Sequence, residues 1–401
     1  MTLTTGRATA GPALTTTVLG TVVLITAIAP LATDMYVPAF PLVAHDLDAS
    51  ATEVQLTLTT FFVGMALGQL VGGPFSDRVG RRRPLLVSLL VLTTASAVCA
   101  FSPSIGVMMF ARLVQGFSGG WAMVIARSVV VDLTSGTRLV RTMNLVSGIA
   151  GVAPIVGPLI GAAILQLSHW RVSFWVVASL AAVMLVTVAI GVPETLRHRS
   201  APAQMSIAVL RNRGFIGYLV VFAFSMGTIF AYVATSAFVL QSMNGLSPML
   251  YSVDFAFNAV GLTIATLVAA RLADRVRTRA VVAAGLTATA LAGGALLVGA
   301  VWFGMPLPVA VAGFFVLMTA QGLIGPNAGA LASAQVPDQA GTGSAVLGFL
   351  QWCMAGVIAP LAGLGGERTA VPMAAIVLAL TALSLLALIT NQRGSLPCVE
   401  S

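Results

Sequence analysis

Charged residues stand inside long apolar runs: Asp34, in "LATDMYVP", and the arginines Arg112, in "ARLVQG", and Arg127. An ionised side chain at the centre of a hydrocarbon layer costs about 2.5–3.5 kcal/mol on insertion scales, so it persists where it faces a partner or a hollow. Desolvation favours the protonated form of a carboxyl and a nearby cation favours the ionised form, so modest changes around Asp34 can load or unload its proton. The chemistry these residues offer is reversible protonation, with Asp34 and Arg112 as a switchable pair. The plainer alternative is a static ion pair that orients two helices. A further concentration of charge, "GGPFSDRVGRRRPLL" (72–86), puts Asp77, Arg78, Arg81, Arg82 and Arg83 between two apolar runs in a chain that is only 8% charged.

The elements that must position these groups follow from composition. Of 401 residues 58% are hydrophobic and mean hydropathy is +0.99, above the roughly 45–50% apolar share of a soluble domain. Runs of about 20 apolar residues suit helices crossing about 30 Å of hydrocarbon. Twelve are predicted, at 16–37, 54–73, 84–101, 105–131, 142–165, 172–192, 215–240, 249–271, 280–303, 307–334, 343–364 and 371–391. Asp34 in the first of them argues for a retained span rather than a removable signal.

All twenty basic residues are arginines. Taken break by break, Arg7, Arg78, Arg81, Arg82, Arg83, Arg138, Arg141, Arg197, Arg199, Arg211, Arg213, Arg271, Arg275, Arg277, Arg279 and Arg393 fall on one face, and only Arg171 and Arg368 on the other. That asymmetry makes the arginine-rich face, and both termini, cytoplasmic. It also explains the net charge of +8 without a nucleic-acid partner. Cys99, Cys353 and Cys398 share no spacing that would define a disulfide framework or a metal site, and no metal is expected.

The chain repeats itself at an offset of about 200 residues. Asp77-Arg78 recurs as Asp274-Arg275, Gln115-Gly116 as Gln321-Gly322, and "GPLIG" (157–161) more loosely as "APLAG" (359–363). The predicted organisation is an N-terminal six-helix bundle (1–194), a polar cytoplasmic linker (195–213) and a C-terminal six-helix bundle (214–401) around a midplane cavity.

These residues resemble the major facilitator superfamily, and within it the twelve-span drug:proton antiporters of the Bcr/CflA type. "GPFSDRVGRRRP" is similar to the loop signature between spans two and three through Gly73, Asp77, Arg78, Gly80, Arg81 and Arg82. "RLVQG" matches the span-four signature through Arg112, Gln115 and Gly116. "GVAPIVGPLIG" matches the antiporter signature of span five through Gly151, Gly157, Pro158 and Gly161. "TDMYVPAFP", "QLTLTTFFVGMALGQLVGGP" and "HWRVSFW" resemble the Bcr/CflA branch more narrowly. The second loop copy departs from the pattern, with Ala270 and Arg277 in place of two glycines. The resemblance implies an all-α membrane protein, two six-helix bundles related by pseudo-two-fold symmetry around a central cavity. It implies export of drug-like molecules by proton antiport from the bacterial inner membrane. Export of a metabolite, or facilitation without a proton, is the alternative.

Asp34 is placed three to six residues before the outer end of span one and Arg112 about seven after that of span four, each roughly 5–10 Å deep. A gating network is expected from Asp77, Arg78, Arg81 and Arg82 with Arg127 and Asp132 near the inner end of span four and Glu194 at that of span six. Pro154 and Pro158, with Gly151, Gly157 and Gly161, should kink span five and pack it tightly; ordinary close packing is one reading of that spacing, and the Gly-Pro signature of the resemblance implies a closure element between the halves. The substrate candidates are Tyr36, Gln115, Phe230, Tyr232, Phe238, Asn258, Gln321, Gln351 and Trp352, an aromatic set with few polar groups suited to amphipathic molecules. Asp254, near the outer end of span eight, has no counterpart expected from the branch. "SATE" (50–53) reads as a capping box opening span two, and His45, His169 and His198 are expected in loops. The implied partners are the bilayer, protons and a small amphipathic solute; no cofactor is expected, and a monomer is. A membrane-embedded enzyme would need metal ligands or a nucleophile–histidine pair in the spans, and no predicted span contains a histidine.

Overall fold

The computed structural model describes residues 15–134, 136–196, 207–273 and 275–391. Arg7, Arg197, His198, Arg199, Asp274, Arg393 and Cys398 lie outside the described residues, and so do both termini. The order is α1 (Thr16–Asp34), a 3-10 turn (Val37–Ala39), α2 (Phe40–Asp46), α3 (Ala51–Val79), α4 (Arg82–Phe101), α5 (Ile105–Leu133), α6 (Gly136–Ala150), α7 (Ala153–Leu167), α8 (Arg171–Gly191), α9 (Arg213–Ala237) with a π-helical end (Phe238–Met243), α10 (Pro248–Leu272), α11 (Thr278–Phe303), α12 (Leu307–Ala334), α13 (Ala340–Ala362) and α14 (Val371–Thr390).

Among the described residues eleven helical stretches are long and apolar enough to cross a membrane. The twelfth crossing, span five, is not the single kinked helix expected. It is split into α6 and α7 at Gly151–Val152, where Pro154 lacks the N–H that would continue the ladder. Span one also differs. It runs Thr16–Asp46, nine residues past the expected end, and is broken after Asp34. Pro38 and Pro41 each remove a backbone donor just past the break, yet the chain resumes helix in the same direction. Asp34 therefore lies twelve residues from the end at Asp46, roughly 18 Å at 1.5 Å per residue, and is central rather than peripheral. His45 sits in α2, not in a loop.

Helices α1–α8 pack with one another, as do α9–α14, and the two sets meet along α3 against α13 and α7 against α10. Small residues set the closest approaches within a set. A Cβ added at Gly64 or Gly68 of α3 would strike the Leu113 or Phe117 carbonyl of α5, and one added at Gly116 or Gly120 would strike the Phe61 or Met65 carbonyl of α3. Backbone cannot yield as a side chain can, so these glycine faces hold α3 and α5 in direct main-chain contact. The expected capping box opens α3: Ser50 Oγ accepts from the Glu53 N–H at 3.2 Å while Glu53 accepts from the Ser50 N–H at 2.8 Å.

Between the sets lies a cavity of about 340 Å³. It is closed at the arginine-poor end. Thr52 Oγ1 donates to the Gly363 carbonyl (3.3 Å), Gln55 Nε2 to the Ala234 carbonyl (3.0 Å) and Gln241 Nε2 to the Pro38 carbonyl (3.1 Å), and the rings of Phe40 and Phe238 approach to 5.7 Å. At the arginine-rich end no hydrogen bond crosses between the sets among the described residues. There Asn212 donates to the Gln335 carbonyl and Asn391 to the Gly214 carbonyl, both inside the second set. The side-chain hydrogen bonds and ring contacts that join the two sets across the cavity are thus gathered at its arginine-poor end.

Candidate functional site

The break in span one builds the site. Tyr36 N–H turns back to the Thr33 carbonyl, so the Ala32 carbonyl is left without its usual helical partner, and Arg112 of α5 donates to it at 3.2 Å. A cation at the negative end of a helix is favourably placed. Arg112 is fully buried, donates also to Gln115 Oε1 at 2.6 Å, and lies over the rings of Phe61, Tyr36 and Phe174 at 4.2, 5.2 and 5.7 Å. Those ring faces supply the electrostatic compensation that an anion would otherwise provide.

Asp34 shares the same break but not the same partner. Its carboxylate accepts from the Thr33 hydroxyl at 3.1 Å, lines the central cavity, and is 6% exposed. No arginine lies within 4.0 Å of it among the described residues. The expected ion pair is thus open in this conformation: the two groups flank one helix end, the guanidinium on the carbonyl and the carboxyl on the cavity.

Span five presses on this break. A Cβ on Gly157 would lie 3.1 Å from the Asp34 Cβ, and one on Gly161 would strike the Met35 carbonyl. The glycines of the antiporter signature therefore first serve contact with span one inside their own set, while α7 also faces α10 of the other set.

Four of the nine substrate candidates line the cavity: Phe230, Tyr232, Gln351 and Trp352. Phe62, from the first set, joins them, with its ring 4.7 Å from Phe230 and 5.7 Å from Trp352. The other five do not reach the cavity. Gln115 and Gln321 are consumed as pseudo-symmetric struts, donating to Ser96 Oγ at 2.8 Å and Thr289 Oγ1 at 3.0 Å. Tyr36 is buried against Thr57 at 3.1 Å. Phe238 belongs to the closed end, and Asn258 donates to the Tyr232 hydroxyl (3.0 Å) and to Asp254 (2.9 Å) behind the wall. A polar residue in an apolar span signals a partner, and sequence does not say whether that partner is a ligand or a neighbouring helix. Asp254 is half-buried and bonded to its own helix, a role the sequence did not reveal.

The loop network forms, but within the first set. Arg81 pairs with Asp77 at 2.5 Å and Asp132 at 3.1 Å, Thr195 donates to Asp132 at 2.9 Å, and Arg82 donates to the Ala189 carbonyl. Glu194 accepts from the backbone N–H groups of Arg81 (2.8 Å) and Arg82 (3.1 Å), capping the start of α4. Gly80 has φ of +108°, and a Cβ there would lie 2.6 Å from Glu194. The signature glycine thus serves both a left-handed turn and the carboxylate's approach. Gly73 meets no such demand, since a Cβ there would make ordinary contact at 3.7 Å. Arg78 is exposed and has no ionic partner among the described residues. Arg127, expected in this network, instead lines the cavity.

Burial pushes the Glu194 carboxyl upward, but the N–H groups of Arg81, Leu196, Arg82 and Thr195 outweigh it and hold the carboxyl below its ordinary 4.5. A lowered pKa contributes stability that is present above the ordinary value and lost as pH falls through the lowered one. Glu194→Gln should therefore destabilise by about 1 kcal/mol near neutrality, a charge-assisted cap discounted for exposure. Thermal melts of both proteins should converge once pH has fallen through that lowered value. A gap that persists there would mean the carboxylate's charge is not what the loop uses.

Among the described residues, eleven helical stretches long enough to cross a membrane and the split span five, packed in two sets around a cavity with Asp34 in its wall, define a membrane carrier. Residues 22–360 match the model of the Major Facilitator Superfamily, and the chain belongs to that superfamily. It is 35% identical over 356 residues to the uncharacterized MFS-type transporter YdgK of Bacillus subtilis, covering 86% of this chain and 88% of that protein. It is 30% identical to the bicyclomycin resistance protein homolog of Haemophilus influenzae (86% and 88% covered) and 30% identical to multidrug resistance protein D of Escherichia coli K12 (85% and 87%). Among solved structures, a bacterial homolog of the human lysosomal transporter Spinster superposes with a TM-score of 0.77 at 14% identity, covering 95% of this chain and 98% of that one. The D-xylose-proton symporter superposes with a TM-score of 0.71 at 14% identity, covering 94% and 97%.

Proposed function

We propose that the chain is a proton-coupled exporter of amphipathic, drug-like molecules. It acts as a monomer in the bacterial inner membrane, both termini cytoplasmic, drawing on the proton gradient with no cofactor. The observation that carries this reading is the Asp34 carboxyl, set in the cavity wall at a broken helix with no arginine within 4.0 Å among the described residues. The relatives named for bicyclomycin and multidrug resistance support the substrate class.

The arginine-rich face is the cytoplasmic one and opens first, and substrate enters there while Asp34 holds its proton. Substrate binding and release of that proton are coupled. Arg112 exchanges the Ala32 carbonyl for the Asp34 carboxylate as the halves rock, and a proton from outside restores the original pairing. Rocking breaks the bonds of Gln55, Gln241 and Thr52, and the Asp77–Arg81–Asp132–Glu194 cluster moves as a unit that closes the cytoplasmic side. One proton falling through 100 mV supplies about 2.3 kcal/mol, enough for a roughly 40-fold gradient of a neutral solute.

The test is growth of a susceptible bacterium with and without this gene across an antibiotic panel, repeated with a protonophore. The account expects a gene-dependent rise in tolerance to amphipathic compounds that the protonophore removes. Tolerance that survives the protonophore points to proton-independent transport and contradicts it.

A further inference from the structure

Two N–H donors on neighbouring helices aim at one sulfur. Gln69 Nε2 of α3 and Arg127 Nη2 of α5 each lie 3.6 Å from Met123 Sδ. A thioether is a weak acceptor, so a guanidinium and an amide directed at one leave most of their hydrogen-bonding capacity unmet. No carboxylate lies within 4.0 Å of Arg127 among the described residues. Its side chain is exposed, and the space it is exposed to is the cavity that Gln69 and Met123 also line.

Marking the cytoplasmic face does not account for this arginine. Arg127 lies six residues inside the end of α5 at Leu133. An arginine that served only topology would extend its stem toward the nearby aqueous face. Arg127 turns the other way, back along the helix to Met123 one turn deeper, in the direction helical side chains lean. The glycine faces of α3 and α5 bring the two backbones close enough for Gln69 to meet it. Asp34 and Arg127 are the two charged residues of the cavity lining, so the arginine stands as its single fixed cation among the described residues.

We propose that Arg127 and Gln69 form an anion subsite, and that the molecules exported include amphipathic carboxylates whose apolar body rests on Phe62, Phe230 and Trp352. The assignment rests on the exporter reading and names the substrate class of the same cavity. Guanidinium and amide donors together match the two oxygens of a carboxylate. A cavity of about 340 Å³ holds an aryl acid of modest size. Exchange of such an anion for one inward proton moves two charges with the membrane potential rather than one, which makes export strongly favourable.

The experiment uses three tritiated probes that share a naphthyl ring and differ in the end group: naphthylacetate, naphthylacetamide and naphthylethylammonium. Binding to the detergent-purified full chain is read by scintillation proximity. The acetate should bind about tenfold more tightly than the ammonium, from one charge-assisted contact. Arg127→Gln should bring the acetate-to-amide ratio to about one, and Arg127→Lys should keep part of it. Each variant is checked for a single symmetric size-exclusion peak. Preference for the ammonium, no measurable acetate binding, or an unchanged ratio in Arg127→Gln overturns the subsite. Proton-driven export of the neutral amide in everted vesicles, alongside any of those results, leaves the exporter reading standing and removes the anion subsite alone.

Discussion

Asp34→Asn should abolish uphill export and leave the fold intact. In everted vesicles energised to 100 mV, the substrate gradient of the native protein, roughly 40-fold for one proton per neutral molecule, should fall to about unity, while downhill exchange continues. The reason lies in what the substitution removes. Asn is close to Asp in shape and can keep the 3.1 Å contact with the Thr33 hydroxyl, and the carboxylate has no ion pair among the described residues in this conformation. What disappears is the ionisable group, and with it both the proton and the carboxylate that Arg112 takes up as the halves rock. If the Asn variant still concentrates substrate against its gradient, the proton travels by another group and the role assigned to Asp34 is wrong.

A second large effect separates two glycines of one signature. Gly161→Ala should cost about 1–3 kcal/mol or more, the range for forcing an added group into a packed interior. Gly157→Ala should cost under about 1 kcal/mol. The added Cβ meets main chain at Gly161, the Met35 carbonyl, which moves only if the break in span one moves with it. At Gly157 it meets the Asp34 Cβ at 3.1 Å, where a shift of a few tenths of an ångström suffices. Melting temperatures in detergent should rank native above Gly157→Ala, with Gly161→Ala clearly lowest. Transport per folded molecule should fall further in Gly161→Ala, because the displaced segment carries Asp34. Equal melting temperatures for the two variants would show that α7 does not bear on the break as described.

The fold was readable from the sequence wherever lipid imposes one rule. Apolar length gave the crossings, arginine placement gave one consistent face, and the doubled Gln-Gly and Asp-Arg pairs gave the two-set plan. The breaks were harder to read. In span one, Pro38 and Pro41 look like a helix end, because the sequence signals that a ladder stops and does not signal that the chain goes on in line. That single ambiguity put Asp34 too near the surface. The same limit split the polar residues unevenly. Gln115 and Gln321 look like ligands and are struts, while Gln69, on a glycine-rich face, lines the cavity with no motif to mark it. Arg127 was recognisable as a charge inside span four, but only the direction of its side chain, toward Met123 and away from the loop, moves it from the Asp77–Arg81 cluster to the cavity.

Proton release on substrate binding tests the central claim most directly. Detergent-purified protein in weakly buffered solution near neutral pH, mixed with a transported amphipath, should acidify the medium by up to one proton per molecule bound, with none from Asp34→Asn. Binding that saturates with no change in proton count, or equal release from native protein and the Asn variant, would contradict the account.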